Sequence, residues 1–401
     1  MKIACIMMQK NESKLLKPWV EYHSLIFGLE NMYVYDNGST DQECIDTLMM
    51  YEKNGLNVEW GFKSKEDFEK KGYLFSERIK RFDNSTSPYD FYFPLDCDEF
   101  IAYERAPGDL LLDRRSIEIE LDKYVGSQSV LAINAGYDNN PLLEKHYFRS
   151  EGQRKSFFYK GTCLTLDMGF HSGKTKAGSE SQKTSIVYIH HHYKEFHEYQ
   201  KSAKQKLLGR VVDFSLASLE KHRDKKGAGY HLIGALLATE HEYYSSFYNS
   251  YASNTNKYYY MAFVSSHLKG LGLNQSAPEQ IKAICVTDNS IRGVIDSIVV
   301  TKDSLKLTGW AISPDENKCF IIYIFGDNNK YIKILNSETY NRPDVVRAIE
   351  HSYLKCGIIA EQKLSSEDFD TLHSKELKII FKNNSSSSRI NFNQKNMTIN
   401  T

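Results

Sequence analysis

Four short apolar runs in the first hundred residues, "KIACIMM", "MYVYD", "LNVEWGF" and "DFYFPLD", alternate with segments of helical rhythm. Between the first two, "ESKLLKPWVEYHSLIFGL" repeats apolar residues at Leu15, Leu16, Trp19, Val20, Leu25 and Ile26 and stops at Gly28. After the second, "TDQECIDTLMMYEKNG" offers Thr40 or Asp41 as N-cap and Gly55 as the stop. Strand, helix, strand, helix, strand implies right-handed crossovers and a mostly parallel sheet, hence an α/β fold. Such a sheet gathers the loops after its strands into one crevice, where open α/β folds bind ligands. The residues in those loops therefore decide the function class.

The first strand delivers Gln9, Asn11 and Glu12, the second "DNGSTD" with Asp36, Asn37 and Asp41, and the fourth "LDCDEF" with Asp96, Asp98 and Glu99. Carboxylates at the end of a buried strand are costly unless paired, hydrogen-bonded or bound to a metal. Two readings stand for Asp96 and Asp98: a surface turn after a core strand, or a cation site at the sheet edge. No G-x-G-x-x-G or G-x-x-x-x-G-K loop is present, which speaks against a dinucleotide enzyme or a P-loop NTPase. A divalent cation held by one or two Asp carboxylates plus substrate phosphates fits this edge better.

The 401 residues allow two or three domains. Lys+Arg 51 balance Asp+Glu 51, which removes a global electrostatic argument for a nucleic-acid partner. The seven cysteines are scattered without a C-x-x-C pair and read as reduced thiols of a cytoplasmic protein. "MKIACIMMQKNE" is too short in its apolar part for a signal peptide and reads as the first strand. No apolar run approaches the ~20 residues of a membrane span.

Further along, "SVLAINAGYD" reads as one more strand and "TSIVYIHHHY" as a late one, followed by a lysine-rich and then tyrosine-rich helical stretch through 241–262. "GVIDSIVVTKDSLKLTGWAI", "KCFIIYIFGDNNKYIKIL" and "ELKIIFKN" are short strands joined by turns, the pattern of a small β-sandwich. The expected division is a catalytic domain over 1–200, a helical extension over 201–280, an all-β domain over 281–384 and a frayed polar tail over 385–401.

Three stretches together, "IACIMMQKNESKLLKPWVEYHSLIFGLENMYVYDNGSTD", "DFYFPLDCDEFI" and "YIHHHYKEFHEYQKSAKQK", resemble the family-2-like and family-92-like glycosyltransferases of GT-A fold. Those enzymes carry a K-N-E first loop, a Y-D-N-x-S-x-D second loop, an L-D-x-D-E-F strand end and a closing H-Y-x-x-x-x-E-F element, in this order. The resemblance implies a nucleotide-sugar donor, with base and ribose along the first two loops and the diphosphate on Mn²⁺ or Mg²⁺ at the D-x-D. It implies that Glu12 and Asp36 contact base or ribose with Gln9 beside them, in loops that also hold Asn11 and Asn37. Asp96 would lie by the ribose or a metal water, Asp98 would ligate the metal, and Glu99 would orient the turn. Lys155 would lie near the diphosphate. His192, at the family's H-Y element, would complete the cation site, with His190 on its side one layer deeper and His191 opposite.

Each assignment has a plainer alternative: a first-turn acid for Glu12, an Asx turn for Asp36, a solvated charge for Lys155 and a helix-capping histidine for His192. Asp138 and Glu151 are available as base for an inverting transfer, and Asp138, beside two Asn, is also a good turn former. Relatives place a glutamine and an A-Y-N helix where this chain has "KKGYLFSERIKRF", and N-W-x-x-F-G-S where it has "NAGYDNNPLL". In those relatives the two regions usually set donor-sugar and acceptor selectivity.

The expectation is a metal-dependent, inverting glycosyltransferase, moving a sugar from a UDP-sugar to a glycan or lipid-linked saccharide in bacterial surface polysaccharide synthesis. The basic helix "HEYQKSAKQKLLGR" could meet anionic lipid at the inner face of the cell membrane, or be a solvated face. The rival readings are a sugar-phosphate nucleotidyltransferase, which would show a glycine-rich basic loop missing from "MMQKNESK", and a non-catalytic carbohydrate-binding or assembly protein, against which the intact D-x-D speaks.

Overall fold

A sheet buried on both faces needs strands that are apolar throughout, and this is what the first runs become in the computed structural model. It describes residues 1–134, 136–139, 146–150, 154–191, 195–227, 229–253, 257–273, 290–314, 320–325, 331–349, 355–364, 369, 372, 377–383, 387–390 and 392–400. His192 and Glu151 lie outside them. The chain divides into two units, Met1–Lys194 with Tyr251–Ser276, and Glu195–Ser250 with Ala277–Thr401. The helical stretch expected as one extension is thus shared between them.

The first unit opens with β1 (Ile3–Gln9), α1 (Ser13–Phe27), β2 (Met32–Asp36), α2 (Gln42–Lys53), β3 (Asn57–Glu59), α3 (Lys65–Glu69), α4 (Lys71–Asp83) and β4 (Phe91–Leu95). Strands β4, β1, β2 and β3 lie side by side and parallel. Alternation along β1 sends Ile3, Cys5 and Met7 into one core with Trp19 and Val20 of α1, and Ala4, Ile6 and Met8 into the other with Phe75 and Ile79 of α4. Asp41 caps α2 by accepting from the Cys44 N–H, and Gly55 follows its end at φ 110°.

The chain continues through β5 (Glu99–Ala106), β6 (Asp109–Leu111), α5 (Arg114–Asp122), β7 (Val130–Ile133), β8 (Gly136–Asn139), β9 (His146–Ser150), β10 (Lys155–Tyr159), β11 (Thr165–Leu166), β12 (Gly173–Lys174), β13 (Ser181–Lys183) and β14 (Ile186–His190). Here two expectations change. "DFYFPLDCDEFI" and "SVLAINAGYD" each read as one strand, and each is divided between two sheets. β4 and β7 belong to a seven-stranded sheet, β5 and β8 to a six-stranded one. The tyrosine-rich stretch also breaks: the helix ends at Ser253, and Tyr258–Tyr260 form β15, paired with β9.

In the second unit, strands from Arg292 onward form a five-stranded and a four-stranded sheet around Ile295, Leu307, Ile322, Ile358 and Phe381. The tail expected to fray supplies edge strands to both. Ser387–Ile390 pairs with Lys378–Lys382, and Met397–Ile399 pairs with Arg292–Val300. Its apolar residues recur at alternate positions, with Ile390 buried and Phe392, Met397 and Ile399 packed against the same core. Asparagine, glutamine, lysine and threonine between them mask that period. Among the described residues, no helix is long and apolar enough to cross a membrane.

α1 also fastens β5. Trp19 Nε1 donates to the Glu99 carbonyl at 3.0 Å and the Tyr22 hydroxyl to the Ile101 carbonyl at 2.5 Å. His23, fully buried, bonds the Trp19 carbonyl through Nδ1 at 2.9 Å and accepts the Ile101 N–H on Nε2 at 3.4 Å. That pattern needs the neutral ring. Burial pushes the His23 pKa down to about 3 against the opposing bond to Trp19. Unfolded histidine takes a proton near pH 6.5, so stability is full above that value and falls as pH drops toward the folded pKa. Urea unfolding between pH 6.5 and 5 is expected to lose about 2 kcal/mol, and clearly less in His23→Gln. Equal losses would show that another group carries the effect.

Candidate active site

The parallel register brings three strand ends to one edge. Gln9 ends β1 opposite Asp36, which ends β2, and Leu95, ending β4, is paired with Met7. The first two loops are laced together there. Buried Asp36 accepts from Gln9 Nε2 at 2.7 Å, from the Gly38 and Ser39 N–H groups at 3.1 and 2.9 Å, and from the Ser39 hydroxyl at 2.5 Å. This is an Asx turn closed by an extra strand contact. Asn11, at φ 57°, accepts from the Thr40 and Asp41 N–H groups at 2.7 and 3.0 Å. Asparagine tolerates that left-handed backbone better than most residues. Asn37 Nδ2 donates to the Phe62 and Ser64 carbonyls, both at 2.8 Å. Glu12 stands at the N-cap of α1, but its side chain makes no capping bond.

Past Leu95 the chain crosses from one sheet to the other in "DCDE". Cys97 is buried in the core while Asp96 and Asp98 face outward. Glu99 folds back, its Oε2 accepting the Asp96 N–H at 2.9 Å. The Asp96 carboxylate meets two buried lysines, Lys71 Nζ on Oδ1 at 2.6 Å and Lys155 Nζ on Oδ2 at 2.5 Å. Lys155 also pairs with Glu99 Oε1 at 2.9 Å and donates to the Gly169 carbonyl at 3.0 Å. Desolvation works against the charged Lys155, but Glu99 and Asp96 outweigh it and hold its pKa above the ordinary lysine value. Desolvation likewise opposes Asp96, and the two lysines keep it ionised below the usual carboxylate range.

Beside this cluster stands a second one. His190 ends β14, in register with Glu99 on one neighbour and Asp138 on the other. Its Nε2 lies 3.3 Å from Asp98 Oδ2 and its Nδ1 2.9 Å from Asp138 Oδ1. Burial pulls the His190 pKa down, and the two carboxylates, Asp98 first, raise it well above the usual histidine value. The ring is therefore an imidazolium bridging two acids. His191 is buried, and its N–H donates to the Asp98 carbonyl at 2.8 Å.

The structure thus brings Asp96, Asp98, Asp138 and Lys155 together, and Gln9, Asn11, Glu12, Asp36 and Asn37 into a neighbouring loop pair. Lys155, for which a solvated charge was the alternative, is 2% exposed. Asp96, expected near a metal or ribose, has both oxygens on ammonium groups. The second of these is Lys71, which in "KKGYLF" looks like any surface lysine. Its one signal there is a lysine directly before a glycine at a helix start. His190, expected a layer deeper, is the described histidine that reaches the acids.

No protein-family model and no curated protein matches the chain. Among solved structures, S. aureus TarS aligns with a TM-score of 0.30 at 10% identity, over 100% of this chain and 78% of that one. The structure of TarS 1–349 aligns at 0.26 and 11%, over 72% and 84%. A cytidylyltransferase from Leptospira borgpetersenii serovar Hardjo-bovis aligns at 0.23 and 15%, over 40% and 60%. These scores are too low to carry a function, which rests on the site's own residues.

Among the described residues, no group of three His, Cys, Asp or Glu side chains could cage a metal ion. Asp98 and His190 offer one oxygen and one nitrogen, the second only after losing its proton. A cation held by this pair would have to complete its shell with ligand phosphates and water.

The lacing of the first two loops depends on one carboxylate. Asp36→Ala is expected to lower unfolding stability by about 2–4 kcal/mol, because it leaves buried donors unpaired, and Asp36→Asn by less. Urea unfolding measures both, and a loss under about 0.5 kcal/mol for Asp36→Ala, the range of an ordinary surface change, would refute the arrangement.

Proposed function

We propose that the protein is a GT-A-type glycosyltransferase that transfers a sugar from a nucleotide-diphosphate sugar, a UDP-sugar in the first instance, to a glycan or lipid-linked saccharide of a bacterial surface polysaccharide. The observation that carries this reading is the convergence of the D-x-D turn, Asp138 and His190 at the sheet edge that also holds the Gln9 and Asp36 loops. The base and ribose lie against the loops of Gln9, Asn11, Glu12, Asp36 and Asn37. Asp98 would be the carboxylate that holds Mn²⁺ or Mg²⁺, with His190 once its Nε2 proton is lost, or His192 outside the described residues, as the nitrogen donor. A bound cation supplies neutralisation of the charge developing on the departing diphosphate.

Inversion requires a carboxylate that takes the acceptor's proton as its oxygen attacks the anomeric carbon. The sugar–phosphate bond breaks, the glycosidic bond forms, and the nucleoside diphosphate leaves with the bonding electrons. Asp138 is assigned the proton. His190 Nδ1–H at 2.9 Å orients it and keeps it beside the turn that carries Asp98. Asp96 and Lys155 shape that turn from within.

A screen of UDP-, GDP- and CMP-sugars, read as nucleotide release with and without EDTA, tests the class. Release is expected from one donor type and is expected to stop with EDTA. Asp98→Asn is expected to remove metal-dependent UDP binding with the fold intact, since the isosteric amide still fits the turn. Asp138→Asn is expected to keep UDP binding and lose about 10²–10⁴-fold in transfer rate. Undiminished transfer in Asp98→Asn would sink the D-x-D assignment, and undiminished transfer in Asp138→Asn would sink the base.

A further inference from the structure

Lys71 is an unusual residue for the start of a helix. It is 6% exposed, it opens α4, and its ammonium lies 2.6 Å from Asp96 and 4.4 Å from the centroid of Phe170. The next residue explains how it gets there. A Cβ at Gly72 would stand 2.2 Å from the Asp167 carbonyl oxygen and 2.4 Å from that of Leu166. Both are backbone atoms that cannot swing away, so only glycine lets the first turn of α4 approach this segment. The segment itself is shaped for the purpose. Phe170, fully buried at φ 61°, stacks on Phe75 of α4 and sets its ring 5.2 Å from the Lys155 ammonium as well. A left-handed backbone is costly for a phenylalanine and persists only where its surroundings enforce it.

We infer that Lys71 is a positioning residue for the proposed transferase site: with Lys155 it clamps both oxygens of Asp96, and this fixes the turn that presents Asp98. The inference rests on the functional reading above for its consequence, though not for the clamp. Two buried ammonium groups facing Asp96 and Glu99 are balanced in charge. Removing either sign alone leaves an uncompensated buried charge, whereas removing one of each does not. The clamp sets an ammonium on each oxygen of Asp96, which disfavours a second cation there relative to Asp98.

The balance gives the test its sign. Lys71→Met, Asp96→Asn and the double variant of the full chain are unfolded in urea without ligand, and UDP binding with Mn²⁺ is titrated calorimetrically. Lys71→Met is expected to lower the urea midpoint of the wild type and to raise that of Asp96→Asn. If Asp96→Asn does not fold, Glu99→Gln replaces it, because the same two lysines then face one carboxylate. In the folded Lys71→Met variant, UDP–Mn²⁺ affinity is expected to fall about 10-fold, the usual cost of losing a residue that orients a metal ligand. Lys80→Met, which removes a partly exposed pair with Glu77 on the same helix, is expected to change neither readout. A midpoint lowered equally in both backgrounds would overturn the clamp. Unchanged or tighter UDP–Mn²⁺ binding in Lys71→Met would overturn its positioning role. A wild type that binds no UDP would remove the transferase reading alone, and the sign of the midpoint change would still decide the clamp.

Discussion

Two ammonium groups and two carboxylates meet where β4 hands the chain to β5, and three of the four, Lys71, Lys155 and Glu99, are buried. A buried charge left alone costs far more than a lost surface contact, so such a group forms only as a whole. It draws on four separate parts of the chain: the start of α4 for Lys71, the turn for Asp96 and Glu99, the start of β10 for Lys155, and the Gly169 carbonyl that takes a further bond from Lys155. Because Lys71 must reach Asp96, α4 must press on the backbone at Leu166–Asp167. Because Lys155 must reach it too, β10 must run antiparallel beside β4. The arrangement of this half of the sheet follows from bringing these charges together.

The turn is also where one layer of structure becomes two. β4 is held in the parallel sheet through β1, while β5 is held in the six-stranded sheet through β14 and against α1 by Trp19, Tyr22 and His23. Four residues, Asp96 to Glu99, span the change of sheet. Their backbone directions are fixed from both ends, which suits a site that must hold a carboxylate in place without help from a rigid helix or strand.

Much of this was legible in the sequence because it is periodic. Apolar runs separated by helical rhythm gave β1 to β4 and α1, and Asp41 and Gly55 punctuated α2 as their chemistry requires. The acids at the edge stood out because a carboxylate ending a buried strand needs a partner, though the sequence did not show which. What stayed hidden depends on contacts between distant segments. "DFYFPLDCDEFI" is locally one extended run, and only pairing partners far along the chain show that it changes sheet. Lys71 reads as one more surface lysine in "EKKGYLF", since no local pattern shows that Gly72 brings it against a backbone nearly a hundred residues away. Tyr258–Tyr260 carries helix-like neighbours and becomes a strand because β9 offers it an edge. The final segment looked disordered by composition, yet its alternate apolar residues were enough to complete two sheet edges.

The ionisable groups at the edge separate into two sets by their partners, Asp96 with two buried lysines, and Asp98 with Asp138 through one histidine. Lys71, Lys155 and Glu99 have side chains exposed by only 7%, 3% and 4%, and they enclose Asp96 from the protein side. Asp98, Asp138 and His190 are exposed by 32%, 22% and 29% and are joined by one imidazolium. The first set is neutral in sum and closed by its own ion pairs, so it has little to offer a ligand and much to offer the geometry of the turn. The second set joins two acids through one ring and is partly exposed to solvent. Asp96 is thus tied to the ion pairs that shape the turn, and Asp98 to His190 and Asp138. Asp96 and Asp98, two residues apart in sequence, therefore stand on opposite sides of that division.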